Sequence, residues 1–338
     1  MPRPVARWRW GRVLLGAILA GGALCCVLAG GWLWWQDAVG RPGPLGEARA
    51  IVVPHGGTAQ LGATLAAEGV LERAWVFRAA AWVTRGDGAL HAAEFAFPAH
   101  ASVLQVLAIL RTARPVEHHL TIAEGLTAQQ IEVVLGHAEA MTGVVRTIAE
   151  GAALPQTYAY EYGASRAGIV ARATAAMDKV LAQAWADRAP GLPLGSKREA
   201  LILASIVERE TARPEERGHV AAVYLNRLRL GMKLQADPTV VYAASHGAGV
   251  LDHGLTRAEL EREDPFNTYR SVGLPPGPIC SPGVESLLAV LHPVASDDLF
   301  FVADGTGGHV FSRTYEAHDL AVTKWRARSG GAPRGRPE

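Results

Sequence analysis

The sequence predicts an α+β protein with a single N-terminal transmembrane helix, a small βααβ module, and a mixed α+β domain that carries its candidate acid on a helix. Three observations predict it. Val13 to Trp35 is an uncharged apolar run; short strand-like stretches flank two helical ones within residues 48–122; and residues 123–327 mix helical periodicity with short strands and Gly/Pro loops. A length of 338 residues suits about two domains. The 33 Lys and Arg against 32 Asp and Glu leave no basic field, which excludes nucleic-acid binding driven by charge. Cys25 and Cys26 fall in the apolar run and Cys280 stands alone, which excludes a disulfide framework or a cysteine zinc site in the remainder.

Residues 1–12 carry Arg3, Arg7, Arg9 and Arg12 and no acid. The 23 residues from Val13 to Trp35 reach about 34 Å as a helix, enough to cross a bilayer with some tilt. Trp32, Trp34 and Trp35 suit the far interface, and the arginines hold the N-terminus in the cytoplasm, so everything after Gln36 is exported. A cleaved signal peptide is the alternative, but the run exceeds a normal h-region and no A-x-A-like site follows. Neither Cys25 nor Cys26 has the small preceding residue that lipidation wants. Residues 36–47, rich in Gly and Pro, read as a linker.

Ala50 to Val53 reads as a strand, followed by a Pro54/Gly56/Gly57 turn. Thr58 can cap a helix over Gln60 to Glu68, and Trp75 to Val83 is a second helix. Ala93 to Phe97 is strand-like, Val103 to Arg111 an amphipathic helix, and Val116 to Ile122 another strand. Such a βααβ module binds more often than it catalyses; simple packing is the alternative. Thr127 to Leu135 is helical, Glu150 to Tyr158 a loop, and Ala164 to Arg188 a long amphipathic helix ended by Gly191 to Gly195. Residues 328–338 are expected to be a disordered tail.

Leu201 to Thr211, LILASIVERET, is the most informative stretch. Ser196 is a good N-cap, with Glu199 three residues on as a capping box. Near the helix end, Glu210 lines up with Val207, Ile206 and Leu203, whereas Glu208 lies about 200° away beside Ala204, Ser205 and Leu201. A carboxylate on an aliphatic stripe loses hydration, which raises its pKa and lets it act as a general acid. Surface solvation is the alternative for either group.

His219 to Arg229 is amphipathic, with Val220, Val223, Tyr224 and Leu228 on one face, Asn226 free to reach a loop, and Gly231 just past the end. Gln235 and Asp237 follow in a polar loop. Asp237 reads as an N-cap with Pro238 at the first helical position, ahead of Thr239 and Tyr242. The loops Asp264 to Arg270, Gly273 to Ile279 and Asp304 to Ser312 can place polar groups at a cleft, and Asn267, Thr268 and Tyr269 suit sugar hydroxyls and ring faces. His309 and His318 have no ligand-spaced partner, so no metal is expected; P-loop, strand-linked GxGxxG and nucleophile-elbow motifs are absent.

Taken together, LASIVERET, VAAVYLNRLRLGMKLQADPTVVYA, FNTY, GLPPGPI with SPG, and LFFVADGTGGHVFSRTYEAH resemble the endolytic murein transglycosylase, or YceG-like, family. VVPHGGT, LAAEGV, LTIAEGLTAQQI and EGAALPQTY are similar to its N-terminal half. The resemblance implies a single-pass protein of the bacterial inner membrane, with a LysM-like module at 48–122 and a periplasmic catalytic domain at 123–327. It would act without cofactor on nascent peptidoglycan glycan strands, beside membrane peptidoglycan synthases.

The resemblance places the catalytic acid in the VERET segment. Glu210 followed by Thr211 matches the Glu-Ser pairs of other lytic transglycosylases, and Glu208 remains the possible second carboxylate. Protonating the MurNAc-GlcNAc bond and then drawing the proton from the MurNAc C6 hydroxyl would leave 1,6-anhydro-MurNAc ends and end strand elongation. An internal nucleophile removes the second carboxylate that most glycosidases need. Asn226, Gln235, Asp237, Thr239, Tyr242, Asn267 and Tyr269 are the expected substrate-binding positions. Gln156, Cys280-Ser281 and the Asp-Pro-Phe before Asn267 depart from the family pattern. A water-using muramidase and a non-catalytic glycan-binding scaffold remain the alternatives.

Overall fold

The computed structural model describes residues 7–145 and 147–329, and the chain divides into two compact units, Met1–His118 and His119–Glu338. The expected tail from 330 onward and the first six residues lie outside the described residues.

In the first unit, α1 (Arg7–Gly40) contains an apolar stretch from Val13 to Gly40 long enough to cross a membrane, with none of its most apolar window buried. The expected linker is not a free tether. Nothing in Gln36 to Val39 breaks a helix, Arg41 pairs with Asp37 one turn back, and Pro42 disfavours helix at the residue before it. Val39 and Leu45 are buried in the unit's own core.

That core lies beneath an antiparallel pair, β1 (Arg49–Val52) with β2 (Glu94–Phe97), in which Ile51 stands opposite Phe95 and Arg49 opposite Phe97. Between the strands run α2 (Thr58–Ala67) and α3 (Ala74–Val83), so the β-α-α-β order is as expected. Gly57, not Thr58, is the N-cap of α2, and no side chain caps it. After β2, α4 (Val103–Thr112) starts at a closed Ser102–Gln105 capping box.

The next strand, β3 (Glu117–Thr121), pairs with β4 (Thr157–Glu161) rather than with β1 or β2. Only Thr157 and Tyr158 of β4 fall in the loop expected from sequence, and its other three residues carry no sequence assignment; its inward Tyr158 and Tyr160 hydroxyls donate to Leu154 O and Glu139 O, which fastens it. Also in the second unit are α5 (Ala128–His137), α6 (Arg166–Ala186), α7 (Lys197–Glu210), α8 (Pro214–Arg229) and α9 (Asp237–Ala244). They are followed by α10 (Arg257–Glu261), α11 (Val284–Leu291), the hairpin β5 (Phe300–Ala303) with β6 (His309–Ser312), and α12 (Tyr315–Ser329). Of these, α10, α11 and α12 are not among the helices expected from sequence.

Helix α7 is the spine of this unit. Ala200 and every residue from Ile202 to Val207 are buried, packed by α6, α8, α9 and α11. Ser196 caps it by accepting from Glu199 N, but the Glu199 carboxylate reaches one residue further back, to Gly195 N at 2.7 Å, so the expected box does not close. A helix wrapped on all sides delivers its last turn into the protein instead of solvent. Glu208 and Glu210 therefore both arrive at buried ground.

Candidate active site

Glu208 and Glu210 leave α7 in different directions and meet different surroundings. The Glu208 side chain is 5% exposed. Its Oε1 accepts from Arg217 Nη2 at 3.2 Å and its Oε2 from Gly283 N at 2.8 Å. Arg217 also reaches Glu124 at 3.4 Å. A Cβ on Gly283 would come within 2.0 Å of the Glu124 carboxylate and would force that side chain to move from its place beside Arg217. Three distant motifs, EGLT, VERET and SPG, are clasped here around one arginine, and both oxygens of Glu208 are spent in doing so.

Glu210 keeps its chemistry. Its Oε2 is shut off from water and has no hydrogen-bond partner. Burial is the largest influence and the charge of Asp237 the next; together they push its pKa from 4.5 to about 8, against smaller opposing effects of Tyr224 and Arg227. The Tyr224 hydroxyl lies beside the carboxyl, close enough to influence it, yet it is likewise buried without a hydrogen-bond partner. Glu210 Oε2 and the Tyr224 hydroxyl thus both keep hydrogen-bonding capacity for a substrate atom.

Both open onto a cleft of about 330 Å3. Of the expected positions, Gln235, Asp237 and Tyr269 line it with Glu210. Asp237 is the first residue of α9 and Ala236 its N-cap, so the expected capping role is absent; instead Asp237 Oδ1 accepts from the Tyr269 hydroxyl at 2.6 Å. Gln235 has φ +51, a left-handed conformation costing a side-chain-bearing residue about 1 kcal/mol. Its N–H donates to Thr268 O, and the Gln235 side chain accepts from Arg227 at 3.3 Å.

Four expected positions lie outside the cleft lining. Asn226 Nδ2 donates to Ser296 O at 2.8 Å and Asp298 O at 3.1 Å, tying α8 to the stretch before β5. Asn267 is 1% exposed and donates to the carbonyls of Glu259, Leu260 and Arg262. Thr239 pairs with Thr268 at 2.9 Å, and Tyr242 donates to Glu150 Oε2 at 3.1 Å. Amides and hydroxyls that suit a sugar suit a loop equally well, and here the loops hold them.

Several lining residues were not expected. Arg227 donates to Leu299 O and Leu234 O, both at 2.7 Å, which fixes a buried cation near Glu210. A signal for it existed: Arg227 is three, four and seven residues from Tyr224, Val223 and Val220, a charge on the buried face of its helix. Phe301 and Trp325 give apolar walls, and His309 is held by Glu216, with Nδ1 to Oε2 at 2.7 Å and the His309 N–H donating to Oε1 at 3.0 Å. Burial pushes the Glu216 carboxyl up, but these His309 contacts outweigh it and hold it below its ordinary range. Thr211, the hydroxyl residue after Glu210, donates to the same Glu216 at 3.3 Å.

The departures from the family pattern fall away from the cleft lining. Gln156 is exposed, and Phe266 packs on Tyr242 with ring centroids 4.9 Å apart. Cys280 is fully buried and its thiol donates to Ser205 O at 3.3 Å; burial raises its pKa well above the ordinary range, which keeps it inert. Among the described residues, no three His, Cys, Asp or Glu side chains gather as a metal site would require.

Comparison with known proteins adds context to this geometry. The model of the YceG-like family matches residues 51–324. The endolytic murein transglycosylase of Bacillus subtilis is 41% identical over 130 residues, 38% of this chain and 35% of the relative. That of Streptococcus pneumoniae is 34% identical over 182 residues, 52% of this chain and 32% of the relative. The matched stretch thus spans about a third of these relatives. The crystal structure of a YceG-like protein from Listeria monocytogenes is 26% identical, with a TM-score of 0.50 over 81% of this chain and 99% of that one.

Proposed function

This chain belongs to the YceG-like family, and on that premise we propose that it is a membrane-anchored lytic transglycosylase that cuts peptidoglycan glycan strands internally, with Glu210 as its acid and base. The observation that carries the reading is a carboxyl whose Oε2 is buried without a hydrogen-bond partner, its pKa pushed up to about 8, facing a cleft walled by aromatic and polar side chains. Such a group is protonated at neutral pH, as a general acid must be. Relatives sharing these motifs are named endolytic murein transglycosylases, which supplies the substrate class.

In the proposed reaction Glu210 gives its proton to the glycosidic oxygen between MurNAc and GlcNAc, and the C1–O bond breaks as positive charge grows on the MurNAc ring. Asp237, held by Tyr269, contributes fixed negative charge to that oxocarbenium-like state. The Glu210 carboxylate then takes the proton of the MurNAc C6 hydroxyl while its oxygen closes on C1. One bond to C1 forms and one breaks, no water is consumed, and the acid is restored. Tyr224 steadies the transient carboxylate, Arg227 adds positive charge beside it, and Phe301 and Trp325 offer faces for sugar rings.

We assign the first unit's βααβ module a LysM-like glycan-binding role, with α1 as a single-pass anchor, N-terminus inside and the second unit outside the inner membrane, beside the peptidoglycan synthases. A second reading has one observation in its favour: Asp237 is another carboxylate in the cleft and could activate water, as in a muramidase. The test of an enzyme against a non-catalytic scaffold is the purified chain, wild type beside Glu210→Gln, on uncrosslinked glycan strands. Cleavage by wild type, and its loss by about 100-fold or more in a folded variant, is expected. Equal cleavage by both would remove Glu210 from the mechanism, and none by either would favour the scaffold.

A further inference from the structure

Helix α3 has an outer face turned away from the core of its unit. Val76, Phe77, Ala80 and Ala81 point into the core. Trp75, Arg78 and Trp82, spaced three and four residues apart on the opposite side, are exposed, at 49% for Trp75 and 68% for Trp82, and Val83 beside them at 58%. The helix carries no acidic residue, and the Arg85 guanidinium that follows it lies 4.7 Å above the Trp82 ring.

The position of this face is set by α1. At 1.5 Å per residue, about 30 Å of hydrocarbon is crossed between Val13 and the Trp32 to Trp35 cluster. Trp34 stacks flat on Trp75, ring centroids 5.7 Å apart and planes 7° from parallel. Trp75 therefore sits at the depth of the anchor's own aromatic belt, where indole rings gather and lipid phosphates meet arginines.

We propose that the Trp75/Arg78/Trp82 face of α3 is a lipid-docking surface, seated in the headgroup region of the bilayer that α1 crosses, so that the first unit lies on the membrane instead of swinging free of it. The assignment rests on reading α1 as a membrane span. Indole rings also stack on sugars, but direct stacking on the anchor helix favours lipid over glycan. Trp82 and Val83 supply the apolar insertion, and Arg78 and Arg85 supply the contacts to anionic headgroups.

The test uses the full-length chain in nanodiscs of phosphatidylethanolamine and phosphatidylglycerol, with Cys25→Ser and Cys26→Ser, and a spin label on Val83→Cys or on the exposed α2 position Ala63→Cys. The ratio of collisions with oxygen to collisions with a water-soluble relaxant is expected to be several-fold higher at 83 than at 63. Adding Trp82→Glu should bring it down to the value at 63 with helix content unchanged. A label retained on native Cys25, with Cys26→Ser, reports the anchor. If that label reads bilayer interior while 83 matches 63, the docking surface is wrong although the span stands; if the Cys25 label is itself aqueous, the span reading falls and the docking surface with it. An aqueous label at 83 that becomes immobilised when glycan strands are added would reassign the face to sugar.

Discussion

Glu210 holds a proton at a pH where an ordinary glutamate has lost it, because its desolvated carboxyl also feels the negative charge of Asp237. This has a cost in stability. Above pH 4.5 the unfolded chain releases the proton while the folded chain keeps it until about pH 8, so folding weakens as pH rises across that window. At about 1.4 kcal/mol per pKa unit, the loss amounts to a few kcal/mol. Glu210→Gln should therefore match wild type in thermal stability near pH 4.5 and exceed it at pH 8. In wild type, kcat/KM should fall as pH rises through about 8, where the acid ionises. Tyr224→Phe removes a buried hydroxyl that lacks a partner, so stability should be unchanged or slightly higher. Because Tyr224 lowers the pKa of Glu210, the alkaline limb should move up in that variant, with activity about 10-fold lower.

At the scale of elements, α7 sends its two glutamates into different surroundings. Glu208→Gln breaks a buried pair with Arg217 and should cost about 3 kcal/mol. It should leave cleavage per folded molecule near wild type, the reverse of Glu210→Gln; denaturant midpoints and specific activities measured together check both. Helical phase puts the two groups on different sides of α7, with Glu210 on the stripe of Leu203, Ile206 and Val207, all of them buried, and the Glu210-Thr211 pair of the resemblance points to the same residue. What phase could not reveal was why Glu208 is also buried: Glu124 and Gly283 lie 84 and 75 residues away in sequence from it. The same limit explains Asn226, Thr239, Tyr242 and Asn267, whose polar groups are taken by partners that only the folded chain brings near. Arg227 was legible in principle, as a charge on an apolar face, whereas the pairing of β3 with β4 depends on contacts across some forty residues.

For the whole molecule, α1 is long and apolar enough to span a membrane and also buttresses the first unit. A chain starting at Gln36 keeps Val39 and Leu45 in the first unit's core and should be soluble with that unit folded. One starting after Leu45 should lose cooperative unfolding of the first unit, as calorimetry would show, because two buried side chains go with it, each worth about 2 kcal/mol. The central claim is that Glu210 serves as acid and then base to an internal nucleophile. It is tested most directly by mass analysis of the new ends that the purified chain makes on uncrosslinked glycan strands, run in heavy-oxygen water. Ends one water lighter than a reducing sugar, with no label incorporated, are expected; reducing ends carrying the heavy oxygen would contradict the claim and assign Asp237 the task of activating water.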